Sequence, residues 1–263
     1  MLKMKFCANL SFMFSEAPSI LERYSLAKDA GFKAVETGFP FGHSLEQVKQ
    51  AKENSGVDQV LINLLTGDVT KGEVGVTAVP GKEDEFRANL NTTIDYAKAV
   101  NAKKIHIMAG KLDNVTVNNW VTYEDNLKYA ANKLKEDNIL GVIEPINQHS
   151  VPKYFLSDYR KAIEIIQRIN SPNLKLMLDI FHLQQICGDI SHNIKSFMPY
   201  VGHIQIAQVP NRNEPDTPGE INYEYVLKQL DNHGYNDWIG LEYKPANNSK
   251  DGLKWIKKFG YDL

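Results

Sequence analysis

Eight times along the chain a short apolar run gives way to a segment whose apolar residues recur at helical spacing. The runs occupy residues 5–14, 34–39, 59–65, 104–109, 140–147, 174–180, 201–209 and 238–243. Pro18 opens the first helical pattern, with Ile20, Leu21, Tyr24, Leu26 and Ala27 in period until Gly31 stops it. Further helices are predicted over 44–55, 83–100, 123–137, 157–169, 223–233 and 251–259, with a less regular helical stretch reaching Met198. Strands that alternate with helices pair in parallel, and a parallel sheet needs its crossovers packed on the outside. The predicted fold is therefore α/β, a single (β/α)8 TIM barrel over residues 1–263. No composition break marks a linker. No G-x-G-x-x-G follows an early strand, which counts against the competing open doubly wound sheet.

Charge and cysteine usage narrow the partners. Lys and Arg number 30 against 32 Asp and Glu, a formal net charge of −2, so neither nucleic acid nor an anionic membrane is expected to bind. Cys7 and Cys187 both fall in apolar segments and are too few for a disulfide scaffold, which points to a reducing compartment. The amino-terminal stretch carries Lys3 and Lys5, and Asn9 and Ser11 interrupt its apolar run, so it does not read as a signal peptide. No apolar run has the length of a bilayer span, and the final Gly-Tyr-Asp-Leu is not a peroxisomal address. The expected setting is the cytoplasm. Assembly into a homo-oligomer is left open.

Two connections exceed the usual length, residues 66–82 and 210–220, the second reading P-N-R-N-E-P-D-T-P-G-E. Both follow a strand. They therefore belong to the carboxyl face of a barrel, where enzymes of this fold keep their sites, and both are expected as active-site lids. Polar residues fall near the same ends of the runs: Asn9, Glu36, Asn63, His106, Glu144, Asp179, Gln205 and Glu242. Carboxylates at equivalent heights on strands five, six and eight, with an amide on strand seven, converge on one axis. Their mutual repulsion is most simply relieved by a divalent cation. Oxygen donors without a cysteine cluster favour Mg2+ or Mn2+, held by Glu144, Asp179, Gln205 and Glu242.

Around that set stand candidate substrate-binding residues, each with a plainer reading beside it. His182 follows Asp179 at the rim, or is a satisfied surface histidine. Arg212 on the second long connection can clamp a substrate carboxylate, or is a solvated loop arginine. Lys244 shares strand parity with Glu242, or is a rim lysine. His106 and Asn63 face inward by parity, His106 being equally readable as a core histidine.

The stretches C-A-N-L-S-F-M-F, A-V-E, V-P-G, I-H-I-M-A-G, V-I-E-P-I-N, L-D-I-F-H, H-I-Q-I-A-Q-V-P-N-R-N-E-P-D, G-E-I-N-Y and W-I-G-L-E-Y-K-P occur in order over nearly the whole chain. In these the sequence resembles the hydroxypyruvate isomerase family of the xylose-isomerase-like barrels. The resemblance implies Glu144 and Glu242 as the catalytic proton donor and acceptor, with Asp179 and Gln205 as the remaining metal ligands. Related sugar epimerases carry a histidine where this chain has Gln205, and a neutral amide binds an ion more weakly. The implied reaction interconverts hydroxypyruvate and 2-hydroxy-3-oxopropanoate (tartronate semialdehyde), a small 2-oxo acid, through an enediolate. Rival readings are an isomerase or epimerase of a four-carbon 2-oxo acid or ketose, and a catalytically silent metabolite- or partner-binding barrel. A nuclease is disfavoured by too few histidines for a zinc cluster and by the lack of a basic face.

Overall fold

The computed structural model describes residues 4–68 and 71–263. Lys3 of the amino-terminal segment and positions 69 and 70 of the first long connection lie outside them. Eight strands, β1 Lys5–Asn9, β2 Ala34–Thr37, β3 Asp58–Asn63, β4 Lys104–His106, β5 Leu140–Ile143, β6 Leu174–Asp179, β7 Val201–Ile206 and β8 Trp238–Leu241, form one closed barrel in chain order. Every neighbouring pair is parallel, and β8 returns to β1 with Lys5 opposite Trp238 and Ala8 opposite Leu241. The helices are α1 Ile20–Asp29, α2 Leu45–Ser55, α3 Glu83–Val100, α4 Val117–Glu136, α5 Tyr159–Ile169, α6 Ile180–Ile186, α7 Ile190–Phe197, α8 Tyr223–Asn232 and α9 Lys254–Lys258. The predicted (β/α)8 barrel is the observed architecture.

Local signals explain most boundaries. In α5, Asp158 accepts the backbone N–H groups of Arg160 and Lys161, and Tyr159, Ala162, Ile165 and Ile166 bury one face. Helix α2 starts with a reciprocal capping box between Ser44 and Gln47 and stops at Gly56 in the left-handed region, φ 68°. Where the boundaries differ from expectation, the reason is burial without ladder pairing. The runs after β1 and β4 stay apolar through Leu10, Met13, Ile107 and Ala109, all buried, although the strands have ended at Asn9 and His106. Helix α4 begins at Val117, not near Tyr123. Its first turn exposes Val117 (77% accessible) and buries the capping Asn119, the reverse of an apolar stripe. The irregular stretch before Met198 is two helices, parted by Gly188 and Asp189 at φ 60° and 44°.

Two apolar cores result. The large one fills the space between barrel and helices. The small one draws Cys7, Ala34, Val60, Leu61, Val142 and Met177 from the strands alone. Both cysteines are free thiols. Cys187, expected inside an apolar segment, is exposed because it caps the end of α6 beside the Gly188 turn. Among the described residues no helix is long and apolar enough to cross a membrane.

Trp255 of α9 is fully buried. It meets Phe6 of β1 edge-on at 5.3 Å and donates its indole N–H to the Tyr243 hydroxyl at 3.3 Å. Trp255→Ala is expected to cost about 3–5 kcal/mol in chemical denaturation. A cost below ~1 kcal/mol would mean that the chain's last helix does not brace the barrel.

Candidate active site

Three carboxylates gather at the carboxyl end of the barrel. Asp179 closes β6 and is the register partner of Gln205 on β7, while Glu144 and Glu242 immediately follow β5 and β8. One ligand atom from each of Glu144, Asp179, His182 and Glu242 lies within 4.8 Å of the others. Asp179 is held by local geometry, its Oδ1 capping α6 by accepting the Phe181 N–H at 2.8 Å. Burial drives the Glu144 carboxyl well above the usual range, with Glu242 and Asp179 adding to the effect. Burial also raises Asp179, opposed by Arg212 and the Phe181 N–H. Glu242 is pushed up to about 8 by burial, against the pull of Arg212 and with a further push from Asp179.

Arg212 is the cation paired with these carboxylates. Its backbone takes the left-handed region, φ 57°, and is pinned by its own N–H to the Gln208 carbonyl and by the Lys244 N–H to its carbonyl, both 2.7 Å. The guanidinium lies 4.6 and 4.7 Å from the ring centres of Phe12 and Phe181, a cation–π sandwich that also excludes water. Nη2 pairs with Asp179 Oδ2 at 3.4 Å and, more closely, with the Glu242 carboxylate. The solvated-loop alternative is thus corrected: the side chain is 16% accessible and engaged with the cluster. Its loop is braced from within, because Gln208 donates to the carbonyls of Pro215, Thr217 and Ile221 and accepts the Ile221 N–H.

Burial keeps His182 and His106 neutral. His182 Nδ1 accepts the Asn147 backbone N–H at 3.2 Å, so its proton is on Nε2, which faces Glu144 at 3.7 Å and Asp179 at 3.6 Å. Burial, then Arg212 and His106, hold its pKa well below 6.5. Burial likewise lowers His106 to about 3, and its buried Nε2, 3.6 Å from Glu144, has no hydrogen-bond partner. The two remaining candidates stand apart. Asn63 is half-buried at the end of β3, with its amide toward the Met108 sulfur at 3.8 Å. Lys244 is exposed, because β8 ends at Leu241 and strand parity does not carry past it. Only its backbone supports the site.

Sequence reasoning left Glu36 without a role and passed over His203, Lys104 and Gln208. Glu36 is fully buried and accepts hydrogen bonds from Asn9 at 2.8 Å and Gln205 at 2.7 Å. The available signal was parity, since Lys104 and His203 each precede an inward residue, His106 and Gln205, by two positions.

Residues 24–259 match the family model described as xylose isomerase-like TIM barrel. The hydroxypyruvate isomerase of Escherichia coli (strain K12) is 38% identical over 258 residues, 97% of this chain and 99% of that protein. The chain belongs to the hydroxypyruvate isomerase family of xylose isomerase-like TIM barrels. It is also 38% identical to the 2-oxo-tetronate isomerase of Cupriavidus necator over 257 residues, covering 97% of this chain and 98% of that one. A crystal structure from Brucella melitensis carrying the name AP endonuclease, family 2, superposes with a TM-score of 0.94 at 37% identity, covering 98% and 100%.

In this member of the hydroxypyruvate isomerase family the donor set fits a hard divalent cation. Glu144 Oε1 and Gln205 Oε1 are buried without hydrogen-bond partners, and three carboxylates face one arginine. Stripped of metal by a chelator, the protein should lose stability as pH rises from about 6.5 to about 8. The unfolded chain releases the Glu242 proton near 4.5 and the fold keeps it until about 8, so the native state binds more protons across that window. The buried histidines act the other way only below 6.5, where the unfolded state takes up their protons. Calorimetry in chelator reads the slope. A Tm that rises across the window would overturn the assignment of raised carboxylates.

Proposed function

We propose that the chain is an isomerase that interconverts hydroxypyruvate and 2-hydroxy-3-oxopropanoate. The observation that carries this reading is a pair of glutamates from different strands, both raised by burial, with Arg212 against only one of them. The arginine makes Glu242 the easier of the two to keep ionised. In the direction from hydroxypyruvate, Glu242 removes a proton from C3, giving the enediolate, and Glu144 returns one to C2. The C3 hydroxyl proton passes to the C2 oxygen, leaving the aldehyde at C3. The two glutamates end with exchanged protonation and reset through solvent. The neutral Nε2–H of His182, aimed into the cluster, is a fixed donor for oxygens of the substrate.

Ionised, the three carboxylates outweigh Arg212 by two charges, which would repel an anionic 2-oxo acid. A divalent cation held by Glu144, Asp179, Gln205 and Glu242 would remove that excess and stabilise the negative oxygen of the enediolate. Arg212 is the candidate anchor for the substrate carboxylate. Equal identity to the Escherichia coli and Cupriavidus necator relatives supports a second reading, with a four-carbon 2-oxo acid as substrate. The name of the Brucella structure points to DNA. A net charge of −2 and a mouth of three carboxylates speak against a polyanionic substrate.

NMR of each 2-oxo acid with the protein in D2O reads both product and deuterium at the reacting carbon. Neither isomerisation nor exchange with either acid would sink both readings. Glu242→Gln keeps an oxygen donor and loses the base, so turnover should fall by at least ~100-fold at saturating Mg2+ or Mn2+. Asp179→Asn removes no proposed proton carrier and should regain part of its activity as metal is added. Full metal rescue of Glu242→Gln would reduce Glu242 to a ligand and end the two-glutamate mechanism.

A further inference from the structure

Beneath the carboxylates runs a polar column that the proton transfers do not use. At its foot, on the amino-terminal side of the barrel, Asp237 is 44% accessible and accepts from Lys104 Nζ at 2.7 Å. Lys104 Nζ also reaches His203 Nδ1 at 3.2 Å, and His203 Nε2 reaches Glu36 Oε2 at 2.6 Å. Glu36 Oε1 receives Gln205 Nε2 at 2.7 Å and Asn9 Nδ2 at 2.8 Å, and the same Asn9 amide lies 3.3 Å from Glu242 Oε1. Lys104, His203, Glu36, Asn9 and Gln205 are all buried. The fit is tight: a side chain at Gly240 of β8 would overlap the Glu36 carboxylate.

The chemistry of Lys104 orients every bond above it. An ammonium donates and cannot accept, so His203 Nδ1 must offer its lone pair and the imidazole proton must be on Nε2. That N–H then points at Glu36, which can only be an accepting carboxylate. Burial alone would raise Glu36, but His203 and the two amides outweigh it and hold the group below the usual range. Facing a carboxylate, Gln205 has to present its NH2. Its carbonyl oxygen is left turned away, buried and without a partner, on the residue that neighbours Asp179. Asn9 is locked in the same sense, because its Oδ1 accepts the Ser11 N–H at 3.0 Å. Cys7, Glu36 and His203 could in principle form a second metal site, but an ion there would be beside the Lys104 ammonium.

We propose that Lys104, His203 and Glu36 are positioning residues, a one-way hydrogen-bond relay that fixes the Gln205 carboxamide with its oxygen toward the cation site. The proposal rests on the metal-binding reading of that site. A relay of this kind acts on ligand affinity through Gln205 and on nothing else in the cluster directly except, through Asn9, Glu242. Loss of such outer partners typically weakens a metal about 10- to 100-fold.

The test is Mn2+ affinity, read by electron paramagnetic resonance without substrate, for wild type, Glu36→Gln, Gln205→Ala and the double variant. Glu36→Gln should weaken Mn2+ by about 10- to 100-fold in the wild-type background. In the Gln205→Ala background it should add less than about threefold, the non-additivity of two residues acting through one ligand. Unchanged affinity in Glu36→Gln, or losses that multiply, would overturn the relay. Should that variant not fold, 15N NMR of the His203 imidazole in the unmutated protein decides: a proton on Nε2 is expected, and one on Nδ1 refutes the relay. Wild type that binds no Mn2+ defeats the metal reading itself, and the His203 tautomer still judges the relay separately.

Discussion

Burying Glu144, Asp179 and Glu242 at one mouth of the barrel sets the terms for everything built around them. Two like charges about 5 Å apart, at an effective dielectric near 20, repel by roughly 3 kcal/mol, and each also loses its water. The chain meets this cost in three ways visible in its structure. Burial raises all three carboxyls, so each gives up its proton less readily than a free one does. Arg212 is brought in on a strained backbone and sandwiched between Phe12 and Phe181, where little water weakens its pairing. The third is the pair of partnerless oxygens on Glu144 and Gln205, which suit a cation better than any donor the protein itself offers.

Such a cluster needs a rigid frame, and the closed barrel supplies it. Each carboxylate comes from a different strand end, so the spacing among them is set by backbone pairing rather than by flexible side chains. Interiors of this fold are ordinarily filled by branched apolar residues. Here the apolar filling is small, and a hydrogen-bonded column through Glu36 and His203 occupies much of the remaining space. A polar interior survives because its members satisfy one another. Lys104 carries the compensating charge in from the amino-terminal face, where Asp237 meets solvent.

Much of this was legible in the residues. Short apolar runs alternating with segments of helical period identified the eightfold repeat. Parity and height along the runs picked out Glu144, Asp179 and Glu242, which the structure brings together. What failed has physical causes. Apolarity reports burial, and burial outlasts ladder pairing at β1, β4, β5 and β8, so strand parity is no guide to Lys244, which lies past the end of its strand and takes the rim-lysine alternative. The direction of Arg212 depends on a left-handed backbone and on a brace at Gln208, neither of which leaves a pattern in a loop rich in proline and asparagine. His203 and Lys104 carried the right parity, yet a lone histidine or lysine in a strand has too many ordinary explanations to be assigned. They become informative only as a connected pair.

The same reasoning explains why an amide stands at position 205. One side of that residue meets the Glu36 carboxylate at 2.7 Å and must donate. For the other side to hold a cation beside Asp179, its register partner, it must offer an acceptor. A carboxylate would satisfy the second demand and fail the first, adding a fourth negative charge against Glu36 as well as against Asp179. A hydroxyl could do both in principle but has neither the reach nor two separate atoms to hold the roles apart. A carboxamide has one donor and one acceptor on a planar group, and the polarity imposed from Lys104 decides which way round it is. Imidazole shares this two-ended property. The amide is the weaker ligand of the two, so its orientation has to be enforced from outside. The buried column below Gln205 supplies that enforcement, and it leaves the Gln205 oxygen buried without a partner.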